Sequence, residues 1–331
     1  MGRELEWVII VRFGFIILHY NNIELTRKAI ESVRLLDRAD YSSTESSENG
    51  RNQHFVDIVV VDNGSPNGTG EVLKCEYENV DDVHVILTGE NTGFSAGNNV
   101  GFRYIKGLPG EEFDFVIALN NDITFPQKDF LSRLVAVYKS SNPQFYVAGP
   151  DVYTPHIRSH ISPLAAKVRG KCEAEDAISV LEKINEDFKS GVTFANYTRF
   201  LQEKYQGTGM LKLYNSLRKG EYDGALPHDT EAYDCVLNGA CLIFDRRFVL
   251  ENDFLFEEKT FLYVEEDFLT RRMVTAKKTT RYCPELIVDH VGQGSSGFGK
   301  MSYRDYVKKN ISTNERCIES WKIYIESLGE D

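Results

Sequence analysis

The chain has 331 residues, which is enough for one large α/β domain or for a core domain with a substantial insertion. Its 42% hydrophobic and 27% charged residues are typical of a globular protein. The formal net charge of −12 argues against a nucleic-acid binder, which would need a basic surface to neutralise phosphates, although a metal ion and backbone N–H groups can still hold an anionic ligand.

The six cysteines indicate reduced, buried thiols. None belongs to a CxxC pair, and no histidine or cysteine lies near them at the spacing of zinc ligands. Scattered thiols of this kind favour the cytoplasm over an oxidising compartment. The cysteines are Cys75, Cys172, Cys235, Cys241, Cys283 and Cys317.

The apolar stretch at residues 7–20 is interpreted as a buried first strand. It is shorter than the roughly 20 residues that span a bilayer. Arg12 interrupts it, and it lacks the small-residue cleavage site of a signal peptide. Whether residues 1–12 are native stays open.

Strand-like and helix-like segments alternate along the first half of the chain. Residues 13–19 (FGFIILH) form a nearly continuous apolar run, which is typical of a parallel strand covered on both faces. Apolar residues at helical spacing predict a helix over residues 22–36. Further strands are predicted at residues 56–61, 84–87 and 115–119, with helices at 70–77, 96–105 and 127–140 and a polar surface loop at 42–50. This alternation predicts a parallel sheet with right-handed crossovers, whose ligands bind beyond the carboxyl ends of the strands.

The second half of the chain has a different character. Residues 155–230 contain charged helical stretches and are predicted to form a helical insertion. One of its helices is expected to present an apolar face made of Val180, Leu181, Ile184 and Phe188. Later strands are predicted at residues 233–244 and 261–264 and near Tyr282 and Ile287, with helices at 265–276 and 303–328.

Two polar clusters accompany the predicted strands of the first half. Asp62-Asn63-Gly64-Ser65 ends the second strand, and it is either an ordinary turn or the place where an aspartate contacts a nucleotide base or ribose. The loop at residues 91–99 (NTGFSAGNN) has two glycines that let the backbone approach a ligand, before a helix whose N-terminal N–H groups favour phosphate. An unusual helix cap is the alternative interpretation of this loop.

Side chains suited to a metal ion follow the strand at residues 115–119. In Asn120-Asn121-Asp122, a carboxylate beside two amides suits a hard divalent cation that also binds two phosphate oxygens, although these residues are also common in turns. Such an ion neutralises charge on a diphosphate leaving group. His290 precedes a glycine-rich loop, and in combination with Asp122 it is a candidate metal ligand.

Three consecutive acids, Glu265-Glu266-Asp267, begin the predicted helix at residues 265–276. They are either charges that favour the helix dipole or a group that contains a general base. A general base has to lie within hydrogen-bond reach of an acceptor hydroxyl.

Taken in order, these segments resemble glycosyltransferase family 2. The matching segments are FIILHYNN, VVVDNGS, NTGFSAGNN, IALNND, LNGACLIF, FLYVEED and the later DH…SS. They are most similar to bacterial rhamnosyltransferase-like and other polysaccharide-assembly members, over residues 13–150 and 233–296. The resemblance implies an α/β chain with the GT-A fold: a mostly parallel central sheet flanked by helices, with a helical insertion and a C-terminal helix.

The same resemblance divides the chain into four parts. They are a nucleotide-sugar-binding half at residues 13–150, a helical insertion at 151–231, an acceptor and catalytic half of the same domain at 232–300, and a C-terminal helix at 301–331.

The resemblance also assigns roles to residues by position. Asp62 would contact the nucleotide base or ribose, and Asp122 would bind the metal ion as the last aspartate of the family's DxD-like motif. Glu266 falls at the position of the family's general base, and His290 at a position that can complete the metal or diphosphate site. The other donor-side residues are Asn63, Asn91, Gly93, Asn98, Asn120 and Asn121, and the acceptor-side residues are Gly239 and Asp267.

Two positions depart from the family pattern. The DxD position reads Asn-Asn-Asp, so Asp122 is the one carboxylate left to hold a metal ion. The position of the general base reads Glu265-Glu266, and either glutamate can serve, since the pKa of a glutamate is tuned in the same ways as that of an aspartate.

The resemblance implies an inverting glycosyltransferase that uses Mn²⁺ or Mg²⁺ and a nucleoside-diphosphate sugar, with UDP or dTDP as the expected nucleotide. A hydroxyl of a saccharide or lipid-linked saccharide would be the acceptor, in surface polysaccharide synthesis in the cytoplasm or at the inner face of the membrane. The apolar faces of the insertion and the C-terminal helix are expected to pack on the core, with peripheral membrane contact or a homodimer as alternatives.

Three other classes of protein fit the sequence less well. A sugar nucleotidyltransferase would need a glycine-rich, basic phosphate loop after the first strand, where this chain has residues 19–22 (HYNN). A dinucleotide oxidoreductase would need GxGxxG at the same place. The third class is a sugar-nucleotide-binding protein that has lost turnover. Its only support in the sequence is the missing first carboxylate of the DxD motif.

Overall fold

The computed structural model describes residues 10–38, 53–155, 158–191, 193, 196–198, 200–201, 225–291 and 301–329. The predicted loop at residues 42–50 and the glycine-rich loop after His290 lie outside them. The strands are β1 (Ile10–His19), β2 (Gln53–Asp62), β3 (Val83–Leu87), β4 (Phe115–Asn120), β5 (Ile123–Thr124), β6 (Val147–Thr154), β7 (Ser159–His160), β8 (Ala232–Tyr233), β9 (Cys241–Asp245) and β10 (Thr280–His290). The helices are α1 (Ile23–Arg34), α2 (Thr69–Glu76), α3 (Phe94–Lys106), α4 (Phe130–Ser140), α5 (Lys171–Lys189), α6 (Arg246–Glu251), α7 (Glu265–Thr275) and α8 (Tyr303–Ser327).

These strands form one sheet, and its longest pairings are parallel. The order is β3-β2-β1-β4-β9-β6-β10-β5, with β7 on β6 and β8 on β10. β1 is parallel to β2 and β4, and β6 is parallel to β10. β9 runs antiparallel between β4 and β6. The carboxyl ends of β1, β2, β4, β6 and β10 therefore meet at one edge, as the predicted fold requires.

Apolar side chains cover both faces of the sheet. Phe13, Phe15 and Ile17 of β1 join the cluster under α1 and α4, whereas Ile16 joins the cluster under α3 on the other face. All four side chains have no exposed surface. The continuous apolar run of β1 follows from this arrangement, because each face of the strand needs apolar residues.

Helices α5 and α8 pack on each other and form a further layer against α7. Ala174 of α5, Trp321 and Tyr324 of α8, and Phe268 of α7 share one buried cluster. The apolar faces of α5 and α8 therefore pack inside the protein, as expected. None of the helices within the described ranges is both long and apolar enough to cross a membrane.

The apolar residues 233–244 do not form one strand, in contrast to the prediction. The chain leaves β8 at Asp234, which has φ 53°, and it turns again at Asn238, whose Oδ1 accepts a hydrogen bond from the Ala240 N–H at 3.0 Å. Val236 is nevertheless fully buried. The segment between β8 and β9 is a buried loop, and its composition resembles that of a buried strand.

The predicted aromatic strand at residues 261–264 is also wrong. Tyr263 and Val264 have φ angles of 78° and 72°, which an extended strand does not contain. Val264 is the residue directly before α7. The segment is therefore a tight turn into this helix.

Two smaller predictions also differ from the structure. Val180 is 58% exposed. The buried side of α5 contains Ala174 and Phe188, and Val180 does not lie on that side. Cys75, in the last turn of α2, and Cys172, in the first turn of α5, are exposed and not buried.

A matched pair of substitutions on α3 tests this assignment of buried and exposed faces. Phe102 is fully buried and contacts Phe248, whereas Tyr104 is 41% exposed on the same helix. We expect Phe102→Ala to lower the free energy of unfolding by about 3–5 kcal/mol, since it removes a buried ring and leaves a cavity. Tyr104→Ala should cost less than about 1 kcal/mol. Urea unfolding followed by circular dichroism measures both, and equal losses would contradict the assignment.

Candidate active site

Asp62 is fixed at the carboxyl end of β2 by the turn that follows it. Both carboxylate oxygens accept long hydrogen bonds from the Ser65 N–H at 3.3 Å. Gly70 lets α2 pass close by, since a Cβ at that position would lie 2.3 Å from the Asp62 carboxyl carbon. His19 Nε2 lies 3.8 Å from Asp62 Oδ1, and burial lowers the pKa of His19. Asp62 is thus an almost buried acid at the edge where ligands bind.

The side chain of Asn63 ties together the loop before α3. Its Oδ1 accepts hydrogen bonds from the Thr92 N–H at 3.0 Å and the Thr92 hydroxyl at 2.9 Å. Its Nδ2 donates to Asn91 Oδ1 at 3.1 Å and to the Gly93 carbonyl at 2.9 Å. All four hydrogen-bonding positions of this amide are used within the protein. Asn63 therefore shapes the loop and has no capacity left for a ligand.

Gly93 joins this loop to the segment that precedes the acids of α7. Its φ is 89°, and a Cβ there would lie 2.4 Å from the Phe261 carbonyl oxygen, so the position favours glycine. The Phe94 N–H donates to the same oxygen at 2.9 Å. Asn98, one turn into α3, donates its side-chain amide back to the Phe94 carbonyl at 3.0 Å. The loop before α3 and the segment before α7 are therefore in direct backbone contact.

Asn99 is a supporting residue that the sequence analysis missed. Its Oδ1 accepts hydrogen bonds from the N–H groups of Leu255 and Phe256 at 2.8 and 3.1 Å, and its Nδ2 donates to the Phe256 carbonyl at 2.8 Å. The side chain is fully buried. A polar residue at a buried position of a helix was the available signal, since such an amide has to find partners inside the protein.

The two asparagines before Asp122 differ in what they contact. Asn121 donates its side-chain amide to Thr26 Oγ1 at 3.0 Å and so links the end of β4 to α1. The Asn120 N–H donates to the Ala240 carbonyl at 3.0 Å, which links the same strand to the loop before β9. Both residues position the end of β4.

Asp122 and His290 lie side by side at the carboxyl edge. Asp122 Oδ2 is 3.3 Å from His290 Nε2, and the two side chains are 9% and 22% exposed. The antiparallel pairing of β5 with β10 places His290 opposite Ile123. The Val291 N–H also donates to the Asp122 carbonyl at 2.9 Å. The structure therefore brings together the two predicted metal ligands through backbone pairing.

The chemistry of this pair fits a divalent cation. Two ligand atoms 3.3 Å apart can bind the same ion at ligand distances of about 2.1 Å. A carboxylate oxygen suits Mg²⁺ or Mn²⁺, and the added imidazole nitrogen favours Mn²⁺. No group of three His, Cys, Asp or Glu side chains suited to a metal ion is found in the part of the chain that the structure describes.

Glu266 is the accessible member of the acid cluster, which we define as Glu265, Glu266 and Asp267 in the first turn of α7. Glu265 and Asp267 are 4% and 2% exposed, whereas Glu266 is partly exposed. Glu266 Oε1 accepts a hydrogen bond from the Gly239 N–H at 3.1 Å. A Cβ on Gly239 would lie 2.4 Å from this oxygen, so a side chain there would displace the carboxyl group. The predicted acceptor-side glycine and the predicted base are therefore in contact.

Burial raises the pKa of all three members of the acid cluster. Burial is the largest cause of the raised Glu265 pKa, and repulsion from Glu266 raises it further. The Glu266 pKa rises through burial, while the hydrogen bond from Gly239 and the charge of Arg169 lower it. Burial raises the Asp267 pKa to about 7, although Arg169 acts in the opposite direction. Within the described residues, Glu265 Oε1 is buried without a hydrogen-bond partner, as suits a neutral acid.

Comparison with known families covers the first half of the chain and part of this arrangement. Residues 15–177 match the profile described as Glycosyl transferase family 2. The match includes Asp62, the loop before α3 and Asp122, and it ends before Glu266 and His290.

Two curated relatives are similar to part of the chain. The chain is 29% identical to the dTDP-rhamnosyl transferase RfbF of Shigella flexneri over 155 residues, which are 46% of this chain and 47% of the relative. It is 30% identical to the low-salt glycan biosynthesis hexosyltransferase Agl10 of Haloferax volcanii over 128 residues, or 38% of each chain. The chain thus spans less than half the length of the curated relatives it matches.

The fold is shared with a solved glycosyltransferase structure. GalNAc-T7 with UDP, GalNAc and Mn²⁺ superposes with a TM-score of 0.51 at 13% identity, over 92% of this chain and 47% of that chain. At this identity the likeness shows the fold alone, and it confirms the predicted GT-A architecture. The chain is therefore similar to glycosyl transferase family 2 over residues 15–177, and to the two relatives over less than half of its length.

Proposed function

We propose that this chain is an inverting glycosyltransferase that moves a sugar from a nucleoside-diphosphate sugar to a hydroxyl group of a saccharide or lipid-linked saccharide. The observation that carries the proposal is the position of Glu266, an accessible acid with a raised pKa whose carboxyl group is fixed by the Gly239 N–H. The family match supports the reaction class.

Asp62 and the loop before α3 are proposed to bind the nucleotide. The hydrogen bonds from Ser65 to the Asp62 oxygens are long, at 3.3 Å, and a carboxylate has further lone pairs for a ribose hydroxyl or a base N–H. The backbone at Gly93 and the first turn of α3 can approach phosphates, because the N-terminal N–H groups of a helix favour negative charge. Asn91 and Asn98 support this surface through their hydrogen bonds to it.

Asp122 and His290 are proposed to bind a divalent ion, Mn²⁺ or Mg²⁺. When bound, such an ion would neutralise charge on the diphosphate of the departing nucleotide. The pairing of β5 with β10 holds the two side chains together before any ligand arrives. The protein therefore contributes a preorganised pair of ligands.

Glu266 is proposed to take the proton from the acceptor hydroxyl. As the acceptor oxygen forms its bond to the anomeric carbon, the bond from that carbon to the diphosphate oxygen breaks on the opposite face, which inverts the configuration. The electron pair of the broken bond leaves with the nucleoside diphosphate, and the proton passes to Glu266. Burial raises the Glu266 pKa and so makes its carboxylate a stronger base near neutral pH. Glu265 has less exposed surface than Glu266, and burial and repulsion from Glu266 raise its pKa.

We also propose that the acceptor belongs to a surface polysaccharide under assembly. The names of the two relatives, a dTDP-rhamnosyl transferase and a glycan biosynthesis hexosyltransferase, support sugar transfer into a glycan. The reaction would then take place in the cytoplasm, at the inner face of the membrane when the acceptor is lipid-linked. UDP and dTDP are the first nucleotides to test.

Thermal unfolding with a panel of UDP-, dTDP- and GDP-sugars, with and without Mn²⁺, tests donor binding. A ligand at a hundredfold excess over its Kd stabilises the folded state by about 2.7 kcal/mol, so we expect one nucleotide to raise the Tm in a Mn²⁺-dependent manner. No shift with folded protein would contradict the proposal. A shift without release of nucleoside diphosphate would favour a binding protein that has lost turnover.

Replacement of Glu266 by Gln tests the general base. The variant keeps a group that can accept the Gly239 N–H but cannot take a proton. We expect hydrolysis of the stabilising sugar nucleotide, in which water replaces the acceptor hydroxyl, to fall about 10²–10⁴-fold. The donor-induced rise in Tm should stay unchanged. Normal hydrolysis by Glu266→Gln would show that another group is the base.

Glu265→Gln is the matched control for that experiment. It should retain most of the hydrolysis, because the proton transfer is assigned to Glu266, whose carboxyl group is held by the Gly239 N–H. A buried acid whose folded pKa is raised contributes stability at low pH that is lost as the pH rises through the folded pKa. Because Gln does not titrate, the free energy of unfolding of the variant should rise relative to wild type between pH 5 and pH 8. The expected rise is about 1.4 kcal/mol for each unit by which folding raises the Glu265 pKa. Urea unfolding at both pH values measures this gain.

Asp122→Asn tests the metal pair without relying on activity. One of two protein ligands loses its charge, so the Mn²⁺ concentration needed for the donor-induced rise in Tm should increase more than about tenfold. Asp129→Asn is the control, since Asp129 is exposed and pairs with Arg133 on the surface. An unchanged Mn²⁺ requirement in Asp122→Asn would remove Asp122 from the metal site.

A further inference from the structure

Arg169 contacts the acid cluster from the segment that precedes α5. Its Nη1 donates to both carboxylate oxygens of Asp267, at 2.9 and 2.8 Å. Its Nη2 donates to the Leu164 carbonyl at 2.8 Å, and its guanidinium lies 5.6 Å from the centre of the Trp321 ring. The Tyr324 hydroxyl donates to the Arg169 carbonyl at 2.8 Å. Side chains of α7 and α8 and the backbone before α5 therefore fix this arginine.

We propose that Arg169 is a positioning residue for the general base. By pairing with Asp267 it fixes the first turn of α7, and by its charge it keeps the adjacent Glu266 able to accept a proton. The inference rests on the proposed function, in which Glu266 is the base. It also gives the insertion a role in the reaction, because Arg169 lies in that part of the chain.

The geometry of the cluster explains why a cation is needed. Three acids follow one another in a largely buried turn, and charging all three would place like charges together in a site of low polarity. Arg169 compensates one of these charges through a contact with Asp267, which is 2% exposed. The same positive charge also lowers the pKa of Glu266 against the effect of burial.

The surroundings contain other groups that titrate. They come from α7, from the turn before it, from α5 and from α8, and each interacts with a member of the acid cluster, with Arg169 or with Tyr324. These groups are Glu265, Arg271, Tyr263, Glu173, Cys317 and Tyr324. Burial raises the pKa of Cys317 to about 11 and that of Tyr324 to about 12, so neither is charged near neutral pH.

The pH profile of Mn²⁺-dependent hydrolysis separates positioning from a merely structural role. The substrates are UDP-glucose, dTDP-rhamnose and GDP-mannose, and the one that stabilises the protein is used. Without Arg169 the Glu266 pKa should rise, so in Arg169→Met the acidic limb of kcat/KM should move to higher pH by about one unit or more. Activity should then recover as the pH is raised. Arg169→Lys keeps the charge and should restore most of the wild-type profile.

Arg133→Met is the control, because it removes an arginine from an exposed ion pair with Asp129. Its profile should match wild type. An unmoved acidic limb in Arg169→Met, with either full activity or the same fractional loss at every pH, would overturn the proposal. If Arg169→Met does not fold, the double variant with Arg169→Met and Asp267→Asn is used in its place. It removes both charges of the ion pair, so neither is left buried without its partner. The acidic limb of kcat/KM is then measured in the double variant.

Failure of the proposed function gives a different result from failure of this inference. If wild type hydrolyses none of the three substrates, the proposed function fails, and Arg169 is then tested by urea unfolding between pH 5 and pH 9. Loss of Arg169 raises the folded pKa of Asp267 further, so the stability of Arg169→Met relative to wild type should fall as the pH rises. A constant difference across this range would overturn the pairing role.

Discussion

Gly239 offers its backbone N–H to Glu266 at a distance that leaves no room for a side chain at position 239. The next residue, Ala240, accepts a hydrogen bond from the Asn120 N–H at the end of β4. Asp122 follows Asn120 after one residue. A short series of backbone contacts therefore sets where the acid of α7 stands relative to the candidate metal pair. The remaining parts of the site are arranged around this connection.

Periodicity predicted most of the sheet, because strands covered on both faces need apolar residues at nearly every position. The prediction was wrong at residues 233–244 and 261–264 for a common physical reason. A buried loop has the same composition as a buried strand, and only the backbone path distinguishes them. The positive φ angles of Asp234 and Tyr263 have no signal in the sequence, since neither residue is a glycine.

The order of the motifs predicted which residues meet at the site, because the carboxyl ends of parallel strands share one edge. This applies to Asp122 and His290, whose side chains are 3.3 Å apart. Asp62 lies at the same edge, at the end of β2. Arg169 could not be found in this way, since it is separated from Asp267 by 98 residues and belongs to no motif. Asn63 was recognised by position, but its saturation by bonds to the loop before α3 depends on the local path of that loop.

The two ends of the site are built from different parts of the chain. The proposed donor end comes from β2, α3 and β4 together with the loops that join them, whereas the acid end depends on the layer of α5 and α8 behind α7. That layer, and with it the proposed acceptor end, can therefore be exchanged while the proposed nucleotide-binding end stays constant. The exchange is limited by one ion pair, because Arg169 and Asp267 have to change together.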